Sequence, residues 1–416
     1  MGFDVTVPGV GDTPVKLEFT TEQSAKLAAQ VLQNVEDILT QSTTPTIRLA
    51  ASGSALPTVP GGEQAVGYIS DSDSAISVPA GYKALVVTGT ATVAGGTDVA
   101  TIVSGSSPLQ FTAGSAQQFV YSGDGNDLIG TNATAGGDNL FSTGSGNDTV
   151  VAAVGNNTIL AGSGNNLIGI ALGNNVVYSQ GTADTVVAGG GYDTIGAESG
   201  NVLAFGGSGK LTFVNGTGVA TVVGGSGSST TFGGAGGGYF AGGYGGNNVL
   251  VAGEQTTTLF GGGGNSTLFA AGSASDVLVA GTGDQTLSGG QSTGNNTYFA
   301  SNSTNALIGA GTGDDAIFAG SGNATIWGGG GKDLFVFNAN QTSSSTNVII
   351  SDFVSGIDHL SLHGYLNGDV TQRDTGAVNQ ALASQTLSGG NTTITLSDGS
   401  KITVLGVSNL KSSDFV

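Results

Sequence analysis

Between Gly123 and Phe337 a glycine-rich turn and a short apolar run alternate at intervals of about nine residues, a period that belongs to solenoids. The units read Gly123-Asp124-Gly125-Asn126-Asp127-Leu128-Ile129 and Gly144-Ser145-Gly146-Asn147-Asp148-Thr149-Val150. Gly189-Gly190-Gly191-Tyr192-Asp193-Thr194-Ile195 and Gly311-Thr312-Gly313-Asp314-Asp315-Ala316-Ile317 follow the same form. One unit cannot bury its own apolar side and is stable only when stacked on its neighbours. Period-2 alternation sends one or two apolar residues of each run inward, and glycine supplies the positive φ that turns need and a Cβ disfavours. With two strands per coil, about 22 units give about eleven coils and a rod about 50 Å long. The expected fold class is all-β, a parallel β-solenoid of the β-roll or β-helix kind.

Composition removes the competing classes. The 416 residues include 76 glycines but only 7 prolines and no Gly-X-Y period, which excludes collagen. Hydrophobic residues make up 38% of the chain, too many for a disordered linker. A large helical enzyme is disfavoured because glycine costs roughly 1 kcal/mol per helix position relative to alanine. The formal net charge of −20 leaves no basic footprint for nucleic acid and no attraction to an anionic membrane surface. Divalent cations are the natural partners of such a chain. No cysteine is present, so disulfides, thiolate metal sites and thiol nucleophiles are excluded together. No apolar stretch reaches the ~20 residues that a membrane-spanning helix needs, so membrane insertion is not expected.

The flanks differ from the array. Residues 1–45 read as two short strands around Gly9-Val10-Gly11-Asp12, then a helix. Thr20 with Gln23 fits a capping box, Leu27, Ala28, Val31, Leu32, Val35, Ile38 and Leu39 share one apolar face, and Pro45 stops the helix. This segment is expected to cap one end of the β structure, with an assembly contact as the alternative. Asp4, Asp12 and Glu18 interrupt the first twenty residues, so a cleaved export leader is not expected there. Residues 46–122 read as irregular β leading into the solenoid, residues 123–337 as the solenoid, and residues 338–416 as a closing β cap that protects the last strand edge.

The array resembles the RTX family, whose nonapeptide is Gly-Gly-x-Gly-x-Asp-x-(apolar)-x. Lys332-Asp333-Leu334-Phe335-Val336-Phe337 and the later Ser351-Asp352-Phe353-Val354-Ser355-Gly356-Ile357-Asp358 are similar to the segment ending serralysin-type β-rolls. Ser413-Asp414-Phe415-Val416 resembles the uncleaved C-terminal signal read by type I secretion machinery. The resemblance implies a secreted protein, extracellular or at a bacterial cell surface, that binds calcium through aspartates and glycine carbonyls of neighbouring turns. Hard oxygen ligands suit calcium, and each site needs several of them, so stacked aspartates are informative where single ones are not. The candidate ligands are Asp127, Asp148, Asp315 and Asp333, with Asp184, Asp193, Asp276 and Asp284 as isolated possibilities. Elsewhere Asn, Ser or Thr replaces the aspartate, as at Asn166 and Ser266, and a neutral amide can stack on the next without a cation. Few calcium sites are therefore expected, near the ends of the array.

A catalytic set is hard to assemble. His359 and His363 are the only histidines, with no third ligand in view, and read as ordinary surface residues. His-Glu-x-x-His, a supported Gly-x-Ser-x-Gly elbow and Gly-Lys-Ser/Thr after a glycine loop are absent. Tyr239, Phe240, Tyr244 and Trp327 read as packing residues rather than a sugar platform. The chain reads as a non-enzymatic structural protein that self-associates into a filament, surface layer or biofilm matrix. The alternatives are a monomeric calcium-binding adhesin or carbohydrate-binding module, then an enzyme built from dispersed carboxylates.

Overall fold

The computed structural model describes residues 2–52, 55–72, 74–132 and 136–416; Gly53, Ser54 and Asp73, within the stretch expected to be irregular, lie outside them. Two compact units are present, Met1–Lys210 and Leu211–Val416. In each, strands alternate between two parallel sheets, here called the first and second faces, and each strand pairs with the one two elements away.

In the N-terminal unit the repeat is set by coils of two strands. On the second face Thr149 pairs with Leu167 and Val150 with Ile168; on the first, Thr158 pairs with Val176 and Ile159 with Val177. Inward rows are continuous and apolar. Ile129, Val150, Ile168 and Val186 on the second face, with Val120, Phe141, Ile159 and Val177 on the first, are fully buried. Burial of each such side chain contributes about 1.5–3 kcal/mol, and only the stack provides it. Turns between strands approach so closely that side chains do not fit. At Gly164, with φ +115, a Cβ would collide with the carbonyl oxygen of Gly146 in the coil before.

Parallel stacking begins at Thr46–Ala50, which pairs with Gln64–Ile69, long before the first Gly-Asp turn at Gly123. These early coils lack the Gly-Asp turn of the later repeats, so the repeat signature is missing. The ring of Tyr82 and the side chain of Leu85 occupy the space where Gly67 has no Cβ, and the Tyr82 hydroxyl donates to the Pro57 carbonyl at 2.7 Å.

Strands β1 (Phe3–Pro8) and β2 (Pro14–Phe19) form an antiparallel hairpin, and α1 spans Glu22–Gln41. The helix does not simply plate one end of the β structure. Ala25, Ala28, Val31, Leu32, Val35 and Leu39 pack on outward Val66, Tyr68, Ala84, Val86 and Val103 of the first face. That side of the early coils is apolar, so it demands a cover. Leu27 and Ile38, expected within the apolar face, stand 41% and 70% exposed. Arg48 adds a two-pronged pair to Glu36 at 2.7 and 2.8 Å.

The helix start differs from the expected capping box by one residue. Thr21 is the cap, its hydroxyl accepting from the Ser24 N–H at 3.2 Å. The Thr20 N–H is already taken by Asp124, a carboxylate in the first Gly-Asp turn, at 2.5 Å. Asp124 also accepts from the Thr21 N–H at 3.1 Å, the Ser24 hydroxyl at 2.7 Å and the Ser145 hydroxyl at 2.8 Å. A repeat-turn aspartate thus serves as a second helix cap.

The C-terminal unit continues the same scheme from Leu211 to Val404 on the first face and from Ala220 to His363 on the second. Phe240 points inward and is fully buried, whereas Tyr239, Tyr244 and Trp327 are exposed. Tyr239 packs against Phe260 in a tilted arrangement with ring centroids 4.7 Å apart. The first face closes with an antiparallel meander in which Asn391–Thr395 pairs with Lys401–Val404 and Thr386–Ser388 with Asn391–Thr395. Helix α2 (Thr375–Ala383) is capped by Asp374, which accepts from the Ala377 N–H at 2.9 Å. The tail is built into this cap. Asp414 is fully buried and accepts from the Ser355 hydroxyl at 2.7 Å, while the Val416 N–H donates to the Leu360 carbonyl at 3.0 Å. No helix among the described residues is long and apolar enough to cross a membrane.

The Asp124 clamp gives a test. Burial raises its pKa, but the hydrogen bonds from Ser24, Ser145, Thr20 and Thr21 outweigh that and hold it below the ordinary aspartate value. Its contribution is therefore present above about pH 4 and lost as pH falls through the depressed value. Asp124→Ala is expected to cost about 1–2 kcal/mol, the worth of a helix cap. Limited proteolysis at neutral pH should cut near α1 in the variant and not in the wild type.

Candidate metal centre

Parallel coils leave one polar problem at each corner. The N–H of the residue opening a strand points along the stack, and its interior location denies it water. In several runs of coils this chain answers with an inward Asp or Asn at or just before the strand. On the second face of the N-terminal unit the N–H of Leu109 donates to Asp127 Oδ1 at 2.7 Å, that of Asp127 to Asp148 at 2.8 Å, that of Asp148 to Asn166 at 2.9 Å and that of Asn166 to Asp184 at 2.8 Å. The first face carries the parallel ladder Gln118, Asn139, Asn157, Asn175 and Asp193, with N–H to Oδ1 distances of 2.9–3.2 Å. In the C-terminal unit the second face repeats it through Thr257, Asp276, Asn296, Asp315, Asp333 and Asp358.

The ladder has a chemical polarity. An asparagine both accepts at Oδ1 and donates from Nδ2. Asn139 donates to Asn157 at 2.9 Å, Asn157 to Asn175 at 3.1 Å and Asn175 to Asp193 at 3.0 Å. A run of such donors ends well on an acceptor-only carboxylate, and both N-terminal ladders end so. Asp184 also receives the Ser179 hydroxyl at 2.5 Å and the Gly181 N–H at 3.2 Å, so both its oxygens are satisfied.

Aspartate below aspartate cannot do this, because neither ionised side chain has a proton to give. Among the described residues, Asp127, Asp148, Asp315 and Asp333 each keep one buried oxygen, Oδ2, without a hydrogen-bond partner. The residue before Asp315 is Asn296, but its amide is spent on the Ser292 hydroxyl and the Gly294 carbonyl. These four are the residues singled out by the sequence. Asp127 and Asp148 are consecutive rungs although 21 residues separate them, and Asp315 and Asp333 are consecutive at 18.

Electrostatics follow from burial. Burial pushes the Asp127 carboxyl up to about 7, with the Asp148 and Asp124 charges adding to it. Burial raises Asp148 as well. Asp315 is raised to about 6 by burial, and Asp333 to about 7 by burial together with Asp358, Asp315 and Asp352. Each site is short of positive charge.

The donor set fits a hard divalent cation. Unpartnered carboxylate oxygens lie on successive rungs, and the adjoining turns stack their carbonyls, so that a Cβ on Gly144 would meet the Gly123 oxygen. Among the described residues no group of three His, Cys, Asp or Glu side chains could hold a metal alone. A cation here must draw on backbone carbonyls too, as calcium readily does.

The isolated candidates separate from these four. Asp184 and Asp193 end amide ladders, Asp276 accepts from the Thr257 N–H at 2.8 Å and the Ala271 N–H at 3.3 Å, and Asp284 is exposed beside Asn305. His359 and His363 lie on one strand, with His363 Nε2 3.0 Å from the Ser361 hydroxyl. Sequence reasoning missed Asp358 as a rung, since it follows Asp333 by 25 residues and breaks the nonapeptide spacing.

A model of the RTX calcium-binding nonapeptide repeat (4 copies) matches residues 134–168, 172–195, 242–268, 270–303 and 309–340. The matched segments, which lie between residues 134 and 340, are RTX-type repeats. Asp148, Asp315 and Asp333 fall inside the matched segments, whereas Asp127 precedes the first. No curated protein matches the chain. RTX repeats are calcium-binding motifs, and proteins that carry them are typically exported by type I secretion, which marks this chain as a calcium-binding extracellular protein.

A raised carboxylate pKa stabilises the fold in its protonated form. In chelator, the contribution of Asp127 should be complete below about pH 4 and fall away as pH rises through about 7. The loss at Asp127 is roughly 2–4 kcal/mol. Thermal melts of the metal-free protein should give a higher Tm at pH 5 than at pH 8, and Asp127→Asn with Asp333→Asn should narrow that gap.

Proposed function

We propose that this chain is a non-enzymatic structural protein of the cell exterior, a calcium-stabilised solenoid that associates side by side with copies of itself. Calcium occupies the stacked pairs Asp127 with Asp148 and Asp315 with Asp333, where it replaces the missing proton donors. The asparagine rungs between need no ion, because each amide supplies its own donor.

The observation that carries self-association is the charge-free second face. In the N-terminal unit its outward rows run Leu128, Thr149, Leu167, Thr185, Leu203 and Gly130, Val151, Gly169, Val187, Phe205. In the C-terminal unit they run Thr221, Tyr239, Thr258, Val277, Thr297, Ala316 and Val223, Ala241, Phe260, Val279, Phe299, Phe318. None of these positions is charged, in a protein of net charge −20. Acids concentrated in the turns keep the chain soluble, while flat Thr-, Val- and Phe-bearing rows let two copies approach without repulsion. The C-terminal Ser413–Val416 segment serves type I export before folding, since Asp414 and Phe415 become buried once the cap forms.

Electron microscopy and light scattering with about 1 mM calcium and after chelation test the reading, the concentration being on the order of extracellular calcium affinities. Ordered polymers or sheets are expected with calcium, and Val151→Lys with Val187→Lys should abolish them without changing the β-sheet signal. Monomers under every condition would contradict self-association. Calorimetric calcium titration checks the sites separately: Asp315→Asn with Asp333→Asn should remove part of the binding and leave the rest.

A further inference from the structure

Beside α1 lies a feature that self-association does not use. A cleft of about 460 Å³ runs between the N-terminal half of the helix and the first face of the N-terminal unit, a volume within the range of small-molecule sites. We propose that this cleft binds a neutral oligosaccharide, with Tyr178 as the stacking platform and Gln180 and Glu198 as the hydroxyl-binding pair.

The platform follows from the register of the sheet. Tyr178 points outward and pairs with Gly196 in the next coil and with Leu160 in the one before. Gly196 has no side chain, and the ring lies beside it: a Cβ there would stand in ordinary van der Waals contact, 3.4 Å from Tyr178 Cδ1 and 3.7 Å from Cε1. Tyr178 lines the cleft and remains 45% exposed. An exposed aromatic ring offers the apolar C–H side of a sugar a large contact at little conformational cost.

Next to the ring, Gln180 Nε2 donates to Glu198 Oε2 at 3.0 Å, so the two planar groups hold each other in place. Together they offer donors and acceptors side by side, as adjacent sugar hydroxyls require. Leu27 forms the opposite wall, and its exposure there is otherwise unexplained for a residue on the helix. The wall is rigid because Asp124 fixes the first turn of α1 through Thr20, Thr21 and Ser24.

The chemistry of the lining selects the ligand class. Among the described residues that line the cleft there is no Lys, Arg or His, and Glu198 is the single ionisable acid. Phosphates, sulfates and uronates find no counter-charge and meet a carboxylate instead. An extended peptide has no free edge to join, since the strands on both sides of Val176–Ser179 are paired to it. Lining residues come from four successive coils, at 142–145, 160–163, 178–180 and 198–199, so the site is elongated along the stack and suits more than one sugar ring.

Calorimetry of the full chain with cellotriose, maltotriose and N,N′,N″-triacetylchitotriose, against trigalacturonate as the anionic control, tests this. At least one neutral trisaccharide should bind. Tyr178→Ala should weaken it about tenfold, Tyr178→Phe should retain it within about threefold, and Gly196→Val, which displaces the ring, should weaken it as Tyr178→Ala does. Thermal melts accompany each variant, and Tyr178→Phe with Glu198→Gln carry the test if Tyr178→Ala melts early; Glu198→Gln should weaken binding about threefold or more. No binding by any neutral trisaccharide, tighter binding of trigalacturonate, or unchanged binding in both Tyr178→Ala and Glu198→Gln would overturn the proposal. Variants with lysine on the second face test a separate surface, so failure of self-association and failure of this site are read independently.

Discussion

The structure depends on a hydrogen bond that is neither strand to strand nor turn to turn. At many corners a buried side-chain oxygen accepts the backbone N–H of the equivalent residue one coil away, as Asp148 does from Asp127 and Asn157 from Asn139; elsewhere a backbone carbonyl takes that place, as Ser228 does for Leu211. A solenoid can pair its strand amides by stacking, but the corner amides point into the interior and would otherwise lie dry. An unpaired buried N–H costs about 1–3 kcal/mol, and the cost would recur at every coil. Filling that position with Asp or Asn turns a recurring penalty into a continuous ladder.

The same position explains the link to calcium. Asparagine satisfies the ladder alone, because its amide donates to the next rung. Aspartate satisfies the backbone but leaves its second oxygen with nothing to accept from unless the turn supplies a donor, as the Ala271 N–H does for Asp276 and the Val354 N–H for Asp358. Asp127, Asp148, Asp315 and Asp333 are in that state, and burial, with smaller contributions from neighbouring carboxylates, raises their pKa values. Replacing Asp by Asn along the array thus trades ion dependence for self-sufficiency rung by rung. Asp124 shows a third use of a turn carboxylate, in which helix N–H groups stand where a cation could.

Much of this was legible in the sequence, and the rest was hidden for definite reasons. The glycine period announced the coils, and aspartates recurring at that period marked the rungs, including both stacked pairs. Stacking before Gly123 was not legible, because those coils keep the pairing, as Ala100 with Gln118, without the Gly-Asp turn that marks the later ones. The position of α1 was half legible: its apolar face was clear, but only the coordinates show that Val66, Tyr68, Val86 and Val103 form the surface it covers. The shift of the helix cap from Thr20 to Thr21 came from Asp124, which lies 104 residues away from Thr20 and so left no local signal. Tyr178 and Gly196 looked like ordinary strand residues until the register placed one over the other.

Amide hydrogen exchange by NMR addresses the ladder most directly. The backbone N–H groups of Asp127, Asp148, Asn157, Asn175 and Asp315 should exchange as slowly as the neighbouring strand amides of Ile129, Val150 and Ile159, although sequence places them at turns. Exchange at those five positions as fast as at Asn126, with the strands still protected, would mean that the side-chain ladder does not hold the coils together.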